Sequence, residues 1–572
     1  MKSKINTLLV LTLLVLQASL YGQEWAKAFG NQYLDQGADI AIDGSGNVYM
    51  TGFFQGTVDF DPSANVANLN SAGERDFFMA KYDAQGNYLW AKAIGGGGND
   101  HARSIVVDIT GNIFVAGEFS NIVDFDPGVG FSLHTGQGNA DVFVAKYNPQ
   151  GNFVWAKSFG GAGIDNCRDM MLDNSGNIFV TGVFQGTADF DPNGGVSNMT
   201  SAGNLDTYIL KLDQFGNYLW SKSIAGMDNI LSNQFVLDNN GNILIAGEFQ
   251  GVADFDPSGG VLHQTSVGTF SGFFAKYKAS NGDLLWADMI GGSGFERAKG
   301  VAVDVQDNIY ITGVFRGTVD FDNSTNDTYV TSAGDQDCFV AKYTPTGNFL
   351  WANHIGGSGN DIGVDIEVDD FSTVFVSMLF RNTATVYDFQ NQPKASFTSN
   401  GSSDIGLFKF DKSGTYLWGK SGGGSNGDEP TAIAINNQNR VFTTGWFQGS
   451  SSFAGNNLAS LGGRDVLMIK LNMSGVVSTQ EQEELDAAEF KVFPNPSNGL
   501  FNLEINEFEG EELEVTIMDV TGRTVETIYL EGYGGFNYFT QQVDLTGRVS
   551  SGLYLVRLRN GQGVVTRKLI IR

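Results

Sequence analysis

Short segments in which hydrophobic and polar residues alternate recur along most of the chain. The segment ADIAID, residues 38–43, alternates with a period of two, and VYMTGFF, DFFMAKYD and YLWAKAI follow it. A period of two is typical of a strand with one buried face. The turns between the segments contain Gly-Asn, where glycine can adopt a positive φ. The pattern therefore predicts units of four antiparallel strands.

A longer segment separates the second and third strands of most units. It has the form G-x-x-D-F-D-P, as in residues 56–62. Because proline has no amide hydrogen to donate, Pro62 is expected to end any strand pairing there. We expect the segment to bulge outward from the sheet.

The unit recurs seven times, and three series of equivalent residues mark it. Repeats of about 65 residues with four strands each are typical of a β-propeller, and a solenoid is the alternative. The three series are Trp25, Trp90, Trp155, Trp220, Trp286, Trp351 and Trp418; Asp43, Asp108, Asp173, Asp238, Asp304, Asp369 and Asn436; and Lys81, Lys146, Lys211, Lys276, Lys342, Lys409 and Lys470.

The two ends of the repeat region favour a closed ring. EWAKAF, residues 24–29, is a fourth strand with no third strand before it, and DVLMIKL, residues 465–471, is a third strand with no W-A-K strand after it. The first strand can complete the last blade, which removes an exposed edge. We predict an all-β fold, with a seven-bladed β-propeller over residues 23–475 in which Trp25 lies near Leu467.

The repeated tryptophan and aspartate residues have structural explanations. One large aromatic side chain per unit, at one strand position, is expected to pack between neighbouring sheets, where burial contributes roughly 2–3 kcal/mol. A stacking platform for sugars is the alternative, although a binding aromatic residue would sit on a loop. The repeated aspartates are expected to accept backbone N–H bonds in turns.

The first residues have the pattern of a secretory signal peptide over residues 1–22. Lys2 and Lys4 precede the apolar run LLVLTLLVL, and small and polar residues follow it. The run is too short to span a membrane. Cleavage is expected near Gly22, and no later stretch reaches about 18 apolar residues, so no transmembrane segment is expected in the mature chain.

The composition changes again near residue 478. Residues 476–488 form an acidic linker, and residues 489–572 return to alternating segments with turn signals such as Pro494-Asn495-Pro496 and Asn560-Gly561. This pattern predicts a small immunoglobulin-like β-sandwich.

Composition and charge exclude several classes of protein. Glycine accounts for 75 of 572 residues and aromatic residues for 12%, which favours many short strands and argues against disorder. The net charge of −29 would repel a phosphate backbone and so argues against nucleic acid as a partner. The two cysteines, Cys167 and Cys338, lie at non-equivalent places in different repeats, which does not imply a structural disulfide.

The repeated phrase GNVYMTG…DFDP…DFFMAKYDAQGNYLWAK resembles the Bacteroidetes β-propeller repeat called SBBP. The resemblance covers about residues 24–472 and rests on sevenfold recurrence. The sixth unit lacks the G-N turn and the D-F-D-P ending, and the seventh has SSFAG in place of D-F-D-P. Different outer loops are expected in those two units.

The C-terminal segment resembles the type A sorting domain of the type IX secretion system. The resemblance implies transport across the periplasm, export through the outer membrane by the type IX machinery, and removal of the tail by a sortase-like peptidase. It also implies release from the cell or attachment to the outer surface. An ordinary adhesion-type sandwich is the alternative. The matching residues are Phe493, Pro494, Asn495, Pro496, Gly499, Gly522, Gly552, Tyr554, Arg567 and Lys568.

We find no catalytic motif and expect the protein not to be an enzyme. The four histidines have neither H-x-x-x-H nor H-E-x-x-H spacing, and the chain has no G-x-S-x-G, P-loop or C-x-x-C sequence. A glycosidase needs two carboxylates in different environments, which equivalent residues of a repeat do not supply by themselves.

One set of loops departs from the sevenfold symmetry. In a propeller, the loops that enter the first strands surround one mouth of the central channel, the usual binding face. They carry charged residues there, and a site for an anionic or polyhydroxylated ligand, a catalytic site and a solvated rim are alternatives. The candidate ligand-binding residues are Asp35, Asp100, His101, Arg103, Asp165, Arg168, Glu296, Arg297, Lys299, Asp361 and Asp428.

No cofactor is implied, and structural Ca²⁺ remains an alternative, since GGSGND and DFDP offer hard oxygen ligands. We therefore expect an exported or cell-surface binding or scaffold module, with a glycan or protein as ligand. A secreted glycan-active hydrolase or lyase, and a surface-layer or filament subunit, are the alternatives.

Overall fold

The computed structural model describes residues 24–572, apart from 323, 325–327, 437–439, 473–488, 494–496, 498, 509–511, 520–523, 532–535, 550–551, 561–562 and 572. The described residues contain β-strands and no helix. They fall into two compact units, which divide between residues 473 and 474. The predicted signal peptide and acidic linker lie outside the described residues.

The described residues of the first unit form 42 strands. Through the fourth strand of the second repeat they are β1 (Trp25–Phe29), β2 (Gln36–Ile42), β3 (Val48–Phe54), β4 (Thr57–Asp59), β5 (Asn68–Asn70), β6 (Asp76–Tyr82), β7 (Tyr88–Gly96), β8 (His101–Val107), β9 (Ile113–Phe119), β10 (Ile122–Asp124), β11 (Leu133–Thr135), β12 (Asp141–Tyr147) and β13 (Phe153–Gly161). The next two repeats supply β14 (Asp165–Leu172), β15 (Ile178–Phe184), β16 (Thr187–Asp189), β17 (Asn198–Thr200), β18 (Asp206–Leu212), β19 (Tyr218–Gly226), β20 (Ile230–Leu237), β21 (Ile243–Phe249), β22 (Val252–Asp254), β23 (His263–Thr265), β24 (Ser271–Tyr277) and β25 (Leu284–Gly292).

The remaining strands of this unit follow the same order. They are β26 (Arg297–Val303), β27 (Ile309–Phe315), β28 (Thr318–Asp320), β29 (Tyr329–Thr331), β30 (Asp337–Tyr343), β31 (Phe349–Gly356), β32 (Ile362–Val368), β33 (Val374–Phe380), β34 (Thr383–Tyr387), β35 (Pro393–Thr398), β36 (Asp404–Phe410), β37 (Tyr416–Gly424), β38 (Asp428–Ile435), β39 (Arg440–Phe447), β40 (Ser450–Phe453), β41 (Asn456–Ala459) and β42 (Asp465–Asn472).

These strands form four- to six-stranded antiparallel sheets in a propeller-like arrangement, and β4 and β5 form a separate two-stranded sheet. In the first repeat, β2, β3, β6 and β7 are neighbours in that order, as the sequence predicts. Two more strands, β10 and β11, extend the same sheet, although they belong to the second repeat. Most sheets are therefore built from two consecutive repeats.

The G-x-x-D-F-D-P segment lies at the outer edge of the sheets, as expected, and the paired residues end before its proline. It also forms a short hairpin that the sequence did not predict, and β10 pairs with the end of β7 through Val123 and Gly96. Asp124 closes the hairpin, since its Oδ1 accepts hydrogen bonds from the amides of Asp126 and Ser132 at 3.1 and 2.8 Å. Phe125 is fully buried beneath the hairpin. Pairing continues because the proline lies in the hairpin loop, outside the paired residues.

The first strand of the chain pairs with β42, the last strand of this unit. The pairing is antiparallel, with Trp25 opposite Lys470 and Ala28 opposite Leu467, as expected from the sequence. The Thr431 hydroxyl also donates a hydrogen bond of 2.9 Å to the Gly37 carbonyl, which joins β38 to β2. The two ends of the repeat region therefore pair within the last sheet, and this sheet is the neighbour of the first one.

The repeated tryptophans pack between sheets, which confirms the structural interpretation. Trp90 packs against a cluster with residues of the first and second sheets, such as Met79 and Ile105, and its ring meets Tyr49 of its own sheet edge-on at 6.4 Å between ring centroids. The turn glycine of the next repeat lies over this ring, and equivalent glycines lie over Trp25, Trp155, Trp220, Trp286 and Trp351. Gly151 has a φ of +73°, and a Cβ atom there would lie 3.0 Å from the Trp90 ring. This turn position therefore requires glycine for two reasons, its positive φ and its close contact with the tryptophan ring.

The repeated aspartates form turns, as predicted. The Oδ1 atom of Asp43 accepts hydrogen bonds from the amides of Ser45 and Asn47, both at 2.9 Å. Asp108, Asp173, Asp238, Asp304 and Asp369 bind the corresponding amides of their own turns.

The second unit contains two antiparallel sheets. One has the order β43-β44-β47 and the other the order β46-β45-β48-β49. A cluster that includes Phe501, Val515 and Tyr554 draws on both sheets and forms one core. The strands are β43 (Glu489–Phe493), β44 (Leu500–Phe508), β45 (Glu512–Asp519), β46 (Thr524–Glu531), β47 (Phe536–Asp544), β48 (Gly552–Asn560) and β49 (Gly563–Ile571).

The residues of the predicted sorting motif are distributed over this second unit. Tyr554 is buried in the core, and Gly499 has a φ of +103°. Pro494, Asn495, Pro496 and Gly522 lie outside the described residues, whereas Phe493 is in β43, Gly552 in β48, and Arg567 and Lys568 in β49. Along the described chain, no helix is long and apolar enough to cross a membrane.

Candidate functional site

The innermost strands of neighbouring sheets lie beside one another, and the loops that enter them are those predicted to surround the channel mouth. Each of these strands contains a β-bulge at the same point, for example between Ala102 and Ser104 in β8. In a β-bulge, two residues of one strand lie opposite a single residue of the partner strand, which changes the direction of the side chains there. The bulged residues include three basic ones from the predicted site, Arg103, Arg168 and Lys299, whose equivalents elsewhere are neutral.

The predicted acidic residues are not free on the rim. Asp100 is fully buried and accepts hydrogen bonds from the amides of Gly96 and Ser120 at 2.8 and 3.2 Å. Burial raises the pKa of Asp100 to about 7, although these bonds oppose it. Burial likewise raises the pKa of Glu296 to about 8 and the pKa values of Asp35, Asp165, Asp361 and Asp428 to about 6. These carboxyl groups hold their own loops and do not converge on one ligand.

A second buried carboxyl group, which the sequence analysis missed, accompanies most of them. Asp76 lies beside Asp100, and its Oδ1 atom is buried without a hydrogen-bond partner among the described residues. Where Ile230 stands in place of the acid of the Asp100 series, Asp206, the equivalent of Asp76, accepts the Gly226 amide that an acid of the Asp100 series takes elsewhere. The two side chains of each pair therefore lie within reach of one amide. The pairs are Asp76–Asp100, Asp141–Asp165, Asp337–Asp361, Asp404–Asp428 and Asp465–Asp35.

Arginine residues are concentrated at the channel mouth beside these loops. Residues 24–472 contain eight arginines, and six of them lie here. Only two of the six are neutralised by direct contact. Arg103 binds Glu118 with an Nη2–Oε1 distance of 2.5 Å, and the Nε atom of Arg297 lies 3.2 Å from Oε1 of Glu248. The six are Arg75, Arg103, Arg168, Arg297, Arg381 and Arg464.

Several cations at the mouth have no counter-ion in contact. The side chains of Arg75, Arg168, Lys299, Arg381 and Arg464 make no ion pair or hydrogen bond with a described residue. Burial lowers the pKa of Lys299, with Arg297 and Arg168 acting in the same direction and Glu248 against them. Burial raises the pKa of Glu429, and Arg464, Arg381 and Lys299 oppose this shift. Five basic side chains at the mouth are therefore left without a counter-ion in contact among the described residues.

A cavity of about 230 Å³ opens at this mouth between the first, second and last sheets. Arg75, Arg103 and Arg464 line it together with His101, Phe53 and the buried Asp35. The guanidinium of Arg75 lies 4.9 Å from the centroid of the Phe53 ring, and the His101 ring lies 4.7 Å from the same centroid. Arg464 lies 3.7 Å over the ring of Trp446. Aromatic rings thus hold two of the three arginines in place.

The structure brings together only part of the predicted set. Asp35, His101 and Arg103 line the cavity, whereas Arg168, Arg297 and Lys299 lie elsewhere around the same mouth. Arg75 and Arg464 were not predicted. They precede the first aspartate of β6 and β42, and an alignment of the seven units would have shown arginine there only in these two.

A further group of polar residues lies deeper in the channel and was also missed. Asp39, Asp169 and Asp365 each accept an amide hydrogen bond from a neighbouring innermost strand. Burial raises the pKa of Asp39 to about 7 and the pKa values of Asp169 and Glu367 to about 8. In the part of the chain that the structure describes, no three His, Cys, Asp or Glu residues are grouped so that they could hold a metal ion.

Comparisons with known proteins agree with both halves of the chain. Residues 20–52 match the family model of the SBBP beta-propeller repeat, and residues 491–572 match that of the secretion system C-terminal sorting domain. The chain therefore combines a β-propeller repeat with a type IX sorting domain. The sorting domain directs export by the type IX secretion system to the cell surface or beyond it.

Similarity to individual proteins is more distant. An uncharacterised WD repeat-containing protein, L264, of Acanthamoeba polyphaga mimivirus is 25% identical over 74% of this chain and 36% of its own length. The regulatory protein FlaEY of Caulobacter vibrioides is 27% identical over 30% of this chain and 19% of its own length. A crystal structure of a protein of unknown function from Bacteroides caccae matches 50% of this chain and 92% of its own with 11% identity and a TM-score of 0.25. The chain thus spans about a third or less of the curated relatives described.

Proposed function

We propose that the chain is an exported seven-bladed β-propeller, followed by an immunoglobulin-like sandwich, that binds an acidic ligand at the mouth of its channel. The pairing of β1 with β42 supports closure into a ring of seven blades. The sorting tail supports a ligand that is met at the cell surface or outside the cell.

The concentration of arginine carries the proposal. The whole chain has a net charge of −29, yet six of the eight propeller arginines and Lys299 share one mouth. Cations without a counter-ion repel one another, so grouping them at one mouth lowers the stability of the fold. The negative net charge of the chain gives no structural reason for such a group. An acidic ligand would neutralise these cations.

Binding of matched acidic and neutral probes tests this function. We expect the purified exported protein to bind dextran sulfate oligosaccharides but not dextran of equal length, with an affinity that falls as salt is raised. The double variant Arg168→Gln/Lys299→Gln should bind more weakly. The control variant Lys394→Gln/Arg440→Gln changes the net charge equally at residues outside this group, and Lys394 pairs with Asp388 in the outermost strand of its sheet. Equal loss in both variants, or no preference for the sulfated probe, would overturn the proposal.

An enzyme is the second candidate, and one observation favours it. His101 Nδ1 lies 3.6 Å from Oε1 of Glu118, an arrangement in which a carboxylate can orient a base. A glycan-active hydrolase or lyase would release new reducing ends from an acidic glycan, and His101→Ala would abolish the release. A binding module would release none while still retaining the probe.

A surface-layer or filament subunit is the third candidate. Each outer hairpin ends in an exposed edge strand, such as β11, and edges of this kind can pair with another chain. Sedimentation of the purified protein separates the candidates, since a subunit would form large assemblies without any ligand.

A further inference from the structure

We infer that the cavity between the first, second and last sheets is an oxyanion site, which takes a single carboxylate or sulfate end group between Arg75 and Arg464. This inference rests on the proposed function. The unpaired cations of the mouth include two groups, and the inference places the ligand at the group that consists of Arg75 and Arg464. The other group consists of Arg168 and Lys299.

The first argument is the size of the cavity. Its volume is about 230 Å³. That space accepts one charged end group of a ligand and not a whole oligomer. Because three sheets supply its walls, the site exists only when the first and last sheets are neighbours.

The second argument is the orientation of the arginines. A guanidinium that stacks on an aromatic ring keeps its N–H groups at its edge, where they can form paired bonds to a planar oxyanion. Arg75 stacks on Phe53 and Arg464 stacks on Trp446, and Trp446 is itself buried. Both side chains are held in place before a ligand arrives, which lowers the conformational entropy lost on binding.

The third argument is the state of the acidic groups around the cavity. The carboxyl group of Asp35 is buried, and both of its oxygens accept amide hydrogen bonds, from Asn31 at 2.7 Å and Gln55 at 3.0 Å. Glu118 is occupied by Arg103. Neither acid therefore neutralises Arg75 or Arg464. The charge of Arg464 opposes the rise in the pKa of Glu429, but the two side chains form no ion pair among the described residues, so both arginines can still bind an external anion.

Isothermal titration of the full exported chain with sodium glucuronate and sodium sulfate tests the site, with glucose as the neutral control. We expect glucuronate or sulfate to bind and glucose not to bind. Arg464→Gln should weaken binding about tenfold or more, as removal of a charge-assisted bond does. Arg75→Gln should do the same, and Arg316→Gln, which removes an arginine paired with Asp335, should have no effect.

The outcomes separate this inference from the proposed function. If the acids bind but Arg168→Gln/Lys299→Gln weakens them and Arg464→Gln does not, the site is wrong and the proposed function stands. The same holds if dextran sulfate binds while neither small anion does. If no acidic probe binds, both fail. Circular dichroism of each variant confirms that loss of binding is not loss of folding.

Discussion

At the scale of single residues, the paired aspartates are the least expected feature of the propeller. Asp76 and Asp100 are both buried, three of their four carboxyl oxygens accept amide hydrogen bonds, and the remaining one, Oδ1 of Asp76, has no donor among the described residues. A proton on this oxygen would let it donate to the neighbouring carboxylate. Each pair would then hold one proton and one negative charge, as closely spaced acids do.

This arrangement predicts that the propeller is more stable at pH 5 than at pH 8. The folded pKa values of about 6 to 8 lie above the unfolded value of roughly 4, so folding takes up protons in this window. The stabilisation is complete below the unfolded pKa and is lost as the pH rises through the folded pKa. Urea midpoints measured from pH 5 to pH 8 should fall, and a rise would contradict the prediction.

Two variants at equivalent positions separate the pair from its surroundings. At pH 8, Asp76→Asn should raise the free energy of unfolding by about 1 kcal/mol, because its amide can donate to Asp100. Asp206→Asn should lower it, because Asp206 faces Ile230 and both of its oxygens already accept amide bonds. Equal effects of the two variants would show that the pairs share no proton.

At the scale of elements, β1 is the strand whose loss should matter most. Trp25 is buried in a cluster that includes Met50 and Phe442, from the first and last sheets. Trp25→Ala should therefore lower the free energy of unfolding by about 3–5 kcal/mol. Leu89→Ala is the control, because Leu89 is 47% exposed and its truncation should change stability by no more than about 0.5 kcal/mol. Urea unfolding measures both, and similar values would disprove the closing role of β1.

Elements governed by local sequence were predictable, and those governed by distant contacts were not. The alternation in residues 38–43 identifies β2 because it depends on one strand and its buried face. The pairing of Val123 with Gly96 joins two repeats, and no pattern within either repeat encodes it. The candidate site behaves in the same way. Arg103 was predicted from its loop, but Arg75 and Arg464 become its neighbours only through the order of the sheets.

At the scale of the whole molecule, the sorting tail predicts where the protein is found. Deletion of residues 491–572 should leave the protein in the periplasm, because the type IX machinery would no longer recognise it. Fractionation of the native cell, followed by detection of the propeller, measures this. The control is a deletion of residues 476–482 in the linker, and this variant protein should still reach the outside of the cell. Export of the tail-less chain would contradict the prediction.

The pairing of β1 with β42 also sets the order in which the chain can mature during export. The strand that emerges first from the inner-membrane channel must wait for a partner more than about 400 residues behind it. Until then, Trp25 and Phe29 remain without the sheet that buries them. A periplasmic holdase would find its substrate in that interval, and a translocation arrest before residue 465 would leave β1 without its partner strand.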